Sequence, residues 1–185
     1  MPQLVALSLS IAVLGAIWAY LALGPLAGFV LVWAGFIAWG CFFHTGGDQK
    51  ALTKTIVGTA YGALLAWVAL MIIVNVPVAG LGVAWPAIVV GVTVFFLVIV
   101  ASVDLLSAVP ANVYGYAALV AYSLHQPSAA PAGAGQMGTG PLQNLTAANF
   151  ANPLVLLIVS MVLGALFGYV SGQVTKMLAA KSAAA

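Results

Sequence analysis

Along the chain, long apolar stretches alternate with short breaks that are polar or carry glycine and proline. Six stretches approach the roughly 20 residues needed to cross a hydrocarbon core, at about residues 4–23, 26–44, 52–75, 85–106, 110–125 and 153–176. Lipid offers no partner to an open peptide group, so each stretch predicts a helix. The fifth is short and begins at Pro110, while the sixth is long enough to tilt or to emerge from the bilayer. The run beginning at Leu4 has no basic residues before it and no convincing cleavage pattern, and reads as a retained first span rather than a signal peptide.

Two of these stretches read alike. Gly62-Ala63-Leu64-Leu65-Ala66-Trp67-Val68 and Gly164-Ala165-Leu166-Phe167-Gly168-Tyr169-Val170 each fall late in a run of three spans. Setting Trp33-Ala34-Gly35-Phe36 against Tyr114-Gly115-Tyr116-Ala117 carries the second span onto the fifth and brings His44 opposite His125. A copy with an odd number of spans must enter the bilayer from the other side, so duplication implies inverted-topology repeats. The expected fold is an all-α polytopic membrane protein with six transmembrane helices in two inverted three-helix repeats. Residues 1–80 form the first repeat and 81–185 the second, with an external loop at 126–152.

Composition agrees with a lipid environment: 65% of residues are hydrophobic and only 3% charged, with a mean hydropathy of +1.23. A net charge of +2 leaves no electrostatic footprint for nucleic acid, so the expected partners are the bilayer, a small solute and further copies of the chain. Lys50 and Lys54 lie between spans two and three, and Lys176 and Lys181 follow span six. Basic residues stay on the cytoplasmic side, so both termini are expected there. The uncharged segment 126–152, rich in alanine, glycine and proline, then lies outside. It reads either as a lid over an outer mouth or as an insertion in one repeat.

Small residues mark candidate helix contacts. Gly58 and Gly62 on span three, and Ser160, Gly164, Gly168 and Gly172 on span six, recur every four residues and let backbones approach closely. They suggest a seam between these two spans or between subunits. Span two carries Phe29, Trp33, Phe36, Gly40 and Phe43 at helical spacing with Trp39 and Phe42 beside them, an aromatic face suited to a narrow passage or to packing. Tyr114 begins a more polar version on span five.

Few residues carry chemistry. His44 and His125 close spans two and five, where an imidazolium caps exposed carbonyls or, alternatively, meets a solute at either mouth. Asp104 is the sole acid associated with a span and lies near its end, while Asp48 is placed to cap span three. Asn112 is a strong hydrogen-bonder near a span end. No catalytic set or metal-ligand spacing is present, and the single cysteine, Cys41, excludes an intrachain disulfide, so neither an enzyme, a cofactor nor a metal site is expected.

With no charge at mid-depth, the pattern points to passive passage of a small uncharged polar solute of the urea or short-amide type. The pathway candidates are Trp33, Phe36, Trp39, His44, Asp104, Asn112, Tyr114 and His125. Two alternatives stay open: a secondary transporter coupled to an ion or proton, and a scaffold subunit that binds partner helices.

Taken together, Trp33-Ala34-Gly35-Phe36 with Phe42 and Phe43, Gly46-Gly47, Val109-Pro110, Tyr114-Gly115 and Gly164-Ala165-Leu166-Phe167-Gly168-Tyr169 make a sequence that resembles the domain of unknown function 1097 family, the YcdZ-like proteins. The resemblance implies a multi-pass protein of the bacterial inner membrane. It carries over no substrate and no site residue, and the segment 126–152 departs from the family pattern.

Overall fold

The computed structural model describes residues 2–124 and 142–183. It is all-helical. Among the described residues the six α-helices are α1 (Gln3–Leu23), α2 (Val32–His44), α3 (Gln49–Asn75), α4 (Ala84–Ile99), α5 (Val109–Leu124) and α6 (Pro153–Ala183). Among the described residues, four apolar helical stretches are long enough to cross a membrane: α1, α3, α4 with its continuation to Ser102, and α6. Large apolar side chains cover the outside, among them Val83, Phe95 and Phe96 of α4 and its approach, so the bundle is suited to lipid and the chain is a membrane protein.

The expected second span, 26–44, is helical only from Val32. Gly24-Pro25 stops α1, and Gly28 takes a φ of 85°, which only glycine adopts without strain. Residues before α2 therefore turn instead of coiling, and the amide of Leu31 donates to the Ser160 hydroxyl of α6 at 2.8 Å. Within this stretch Val30 and Leu31 are nearly inaccessible, whereas Gly24, Pro25 and residues 27–29 are exposed. The 13 residues of α2 reach only about 20 Å at the helical rise.

The fourth expected span, 85–106, likewise breaks. After Ile99 come two short 3₁₀ turns, Val100–Ser102 and Asp104–Leu106, joined by extended Val103. The buried Asn112 amide fills the break, donating to the carbonyls of Leu97 (3.2 Å) and Leu106 (3.0 Å). Such bonds answer carbonyls that a broken helix leaves open. Between α2 and α3, Gly46 and Gly47 both take positive φ, and Asp48 caps α3 by accepting from the Ala51 amide at 2.7 Å.

Consecutive helices run antiparallel through α5. Trp18 of α1 donates to the Val32 carbonyl, Thr45 pairs with Thr55, Tyr61 of α3 donates to the Phe96 carbonyl, and Thr93 of α4 meets Tyr116 of α5. The most extensive pairings join helices distant in sequence, α3 with α5 and α2 with α6. In the first, Gly58 lies against Ala111 and Asn112, and a side chain on Gly62 or Gly115 would run into the facing backbone. In the second, Gly164 sits on the backbone of Gly35, and Gly168 on Trp39 and Phe42, with Gly172 within van der Waals range of Phe42. The small residues of spans three and six thus seat α5 and α2 respectively, rather than one another as a single seam.

Candidate functional site: an aromatic groove between the second and fifth helices

A cavity of about 740 Å³ lies between α2 and α5, open along one side of the bundle. From α2 come Trp33, Phe36, Ile37, Gly40, Cys41 and His44; from α5 come Tyr114, Ala117, Ala118 and Ala121. Helical periodicity selects these sets, since steps of three and four place them on one face of each helix. The wall is almost wholly apolar, and His44 stands at one end with its ring edge-on to Tyr114 at 6.2 Å.

Beside His44 opens a smaller pocket of about 250 Å³, lined by His44, Thr45, Lys54, Ser107, Ala108 and Pro110. Lys54 is fixed in it, donating to the Asp104 carboxylate at 2.8 Å and to the Ser107 hydroxyl at 2.9 Å. The hydrogen bond and charge of Lys54, helped by the charge of Lys50, hold the Asp104 carboxyl below its ordinary range.

Four sequence-predicted pathway residues, Trp33, Phe36, His44 and Tyr114, converge on the groove. Three others do not line it. Trp39 points to α6, donating to the Ser171 hydroxyl at 3.0 Å and lying between Phe36 and Phe167. Asn112 is buried in the break after α4. Asp104 is 90% exposed at the end of the bundle and is not among the residues that line the groove. His125 lies outside the described residues. The expected aromatic face of span two therefore divides: Trp33 and Phe36 face α5 and the groove, Trp39 and Phe42 face α6, and Phe29, ahead of the helix, meets Phe150.

Sequence reasoning used Lys54 only to orient the chain and passed over Ser107 and Thr45, because the break after α4 that folds Ser107 back toward α3 leaves no periodic signature. Ala117, Ala118 and Ala121 were detectable only by stepping three, four and seven residues on from Tyr114. Among the described residues no three of His, Cys, Asp or Glu gather closely enough to hold a metal ion.

The model of a family described as protein of unknown function (DUF1097) matches residues 8–176. The chain matches no curated protein and no solved structure.

Proposed function

Because the chain belongs to the domain of unknown function 1097 family, whose description assigns no activity, we propose from its geometry that it is a passive facilitator. It passes a small uncharged polar solute along the α2–α5 groove. The observation that carries the reading is the convergence of Trp33, Phe36, His44 and Tyr114 on one apolar passage with a polar end. The chain has only two acids, one capping α3 and one paired with Lys54, which favours an uncharged solute over a proton- or ion-coupled one.

In this reading all six helices cross the bilayer, the short α2 and α5 with the help of their irregular ends. The halves α1–α3 and α4–α6 are inverted repeats. The pattern of helix contacts supports this. Exchanging α1 with α4, α2 with α5 and α3 with α6 turns the α3–α5 pairing into α2–α6, α1–α6 into α3–α4, α2–α3 into α5–α6 and α1–α2 into α4–α5. The α2–α5 and α3–α6 pairs map onto themselves, so the groove lies on the pseudo-two-fold axis, where a repeat-built pathway belongs. Matching the close contacts, Ser160 on Leu31 with Gly58 on Ala111, shifts the register by one residue. Gly35 then pairs with Gly115, and His44 with Leu124. The lysine-bearing end is assigned to the cytoplasm of a bacterial inner membrane, and copies of the chain associate in the bilayer.

Proteoliposomes in urea, acetamide and glycerol gradients test the function. Swelling faster than in protein-free vesicles, and abolished by Gly40→Phe, is expected. A Cβ at Gly40 meets nothing within 4 Å, so this ring enters the groove without disturbing the fold. Protein-independent flux overturns the proposal.

A further inference from the structure

We propose that two copies of the chain meet groove to groove, so that the α2–α5 face of each roofs the other and the pathway runs between subunits. The inference rests on solute passage along the groove and names what completes it.

In one chain the groove is half a conduit. It is open along one side, with Phe36 41% and Ile37 37% exposed. Its wall comes from α2 and α5 alone; α1 packs chiefly on α6 and α4 chiefly on α3, and neither contributes a lining residue. In a bilayer an unroofed apolar trough fills with hydrocarbon. A polar solute moving along it would then cross lipid at the cost it meets without the protein.

Two groups in the trough also call for a space closed off from lipid. The Trp33 indole and the Tyr114 hydroxyl line it, and neither is hydrogen-bonded to another described residue. Against acyl chains both would stay unpaired, whereas in a roofed conduit they meet water or solute.

The relief of the face fits a second copy. α2 and α5 are antiparallel, and His44 lies beside Tyr114. From this pair, Gly40 and Ala117 follow along their helices at about 6 and about 4.5 Å, and Phe36 and Ala121 at about 12 and about 10.5 Å, so each pair is nearly level. Two copies with their lysine-bearing ends on one side of the membrane, turned face to face about an axis along its normal, bring α2 of one against α5 of the other. Phe36 then falls opposite Ala121 of the partner subunit, a bulky side chain on a small one. Gly40 falls opposite Ala117 of the partner subunit, where two small residues let the helices approach closely. A Cβ at Gly40 meets nothing within 4 Å in its own chain, so the space there is open to a neighbour. These two seams close the sides, and the hollows face each other across the axis.

Cross-linking in phosphatidylcholine vesicles tests this. Two differently tagged chains in a Cys41→Ala background, one with Gly40→Cys and one with Ala117→Cys, are reconstituted together and oxidised. Phe36→Cys with Ala121→Cys supplies a second pair, so that one poorly folding variant does not decide the matter. Each mixture should give a covalent dimer carrying both tags, lost when either variant is reconstituted alone and absent for Val13→Cys mixed with Phe95→Cys on the exposed faces of α1 and α4. Brominated-chain phosphatidylcholine should leave unquenched the fluorescence component that disappears in Trp33→Phe. The proposal is overturned by the absence of mixed dimers from both pairs, by equal yields from one variant alone or from the Val13 and Phe95 pair, or by quenching of the Trp33 component, which shows that lipid covers the groove. Swelling assays on the same vesicles separate this inference from the reading it rests on. Solute flux through chains that do not cross-link overturns the pairing and leaves solute passage standing, whereas mixed dimers without flux overturn solute passage and leave the pairing standing.

Discussion

Gly164 of α6 rests directly on the backbone of Gly35 in α2, so closely that a methyl group on Gly164 would overlap the Gly35 carbonyl. The same helix continues the contact at Gly168, against Trp39 and Phe42. Lipid supplies no hydrophobic force to press helices together, so van der Waals packing of this kind holds the α2–α6 pair.

Gly164→Leu and Gly62→Leu should each destabilise the protein by about 1–3 kcal/mol or prevent folding, because the facing surface is backbone and cannot give way. Gly40→Leu, also in a helix but facing open space, should stay within about 0.5 kcal/mol of the parent or exceed it. Unfolding in detergent, followed by circular dichroism, distinguishes the two classes; equal losses at all three positions contradict the packing described.

Trp39 holds α2 to α6 and should act through stability. Trp39→Phe removes the bond to Ser171 and should cost about 1 kcal/mol, whereas Trp39→Ala empties a buried site and should cost about 3–5 kcal/mol. Solute flux per folded molecule should be unchanged in Trp39→Phe. A changed solute profile in that variant places Trp39 in the pathway after all.

The division of the aromatic face shows how far the sequence could be read. The spacing of Trp33, Phe36 and His44 announced a helical face, and Tyr114 announced its counterpart on α5. Four of the six expected spans lie close to the observed helices, the second starting six residues late and the fourth giving way to 3₁₀ turns after Ile99; apolar length and the need to satisfy every peptide group leave few other choices. What could not be read was which neighbour each face meets. Gly58 and Gly164 signal close approach, but a small residue has no feature that names its partner, and the partners turned out to be α5 and α2. The late start of α2 follows from Gly24-Pro25 and Gly28, which hydropathy alone passes over. Trp39 and Trp33 are indistinguishable by type; only the packing of α6 separates them.

The Lys54–Asp104 pair gives a pH signature. Lys54 depresses the Asp104 carboxyl below its ordinary value of 3.8. A depressed carboxyl adds stability that is fully present above that ordinary value and is lost as pH falls below it toward the folded-state value. Because Asp104 is exposed, the effect is small and screened by salt. Melting temperature followed from about pH 6 to about pH 3 should fall more steeply in the parent than in Asp104→Asn. Parallel curves contradict the assignment.

The central claim is that α2 and α5 both cross the bilayer, in opposite senses, around the groove between them. Single cysteines at Leu23, Gln49, Leu105 and Leu124, in a Cys41→Ala background, flank these helices at both ends; labelling with a membrane-impermeant maleimide in intact cells and in inverted vesicles tests it most directly. Leu23→Cys and Leu124→Cys should react from outside, and Gln49→Cys and Leu105→Cys only from the cytoplasmic face. Reaction of Leu23→Cys and Gln49→Cys from one side, or of Leu105→Cys and Leu124→Cys from one side, contradicts the paired crossing and with it the shared conduit.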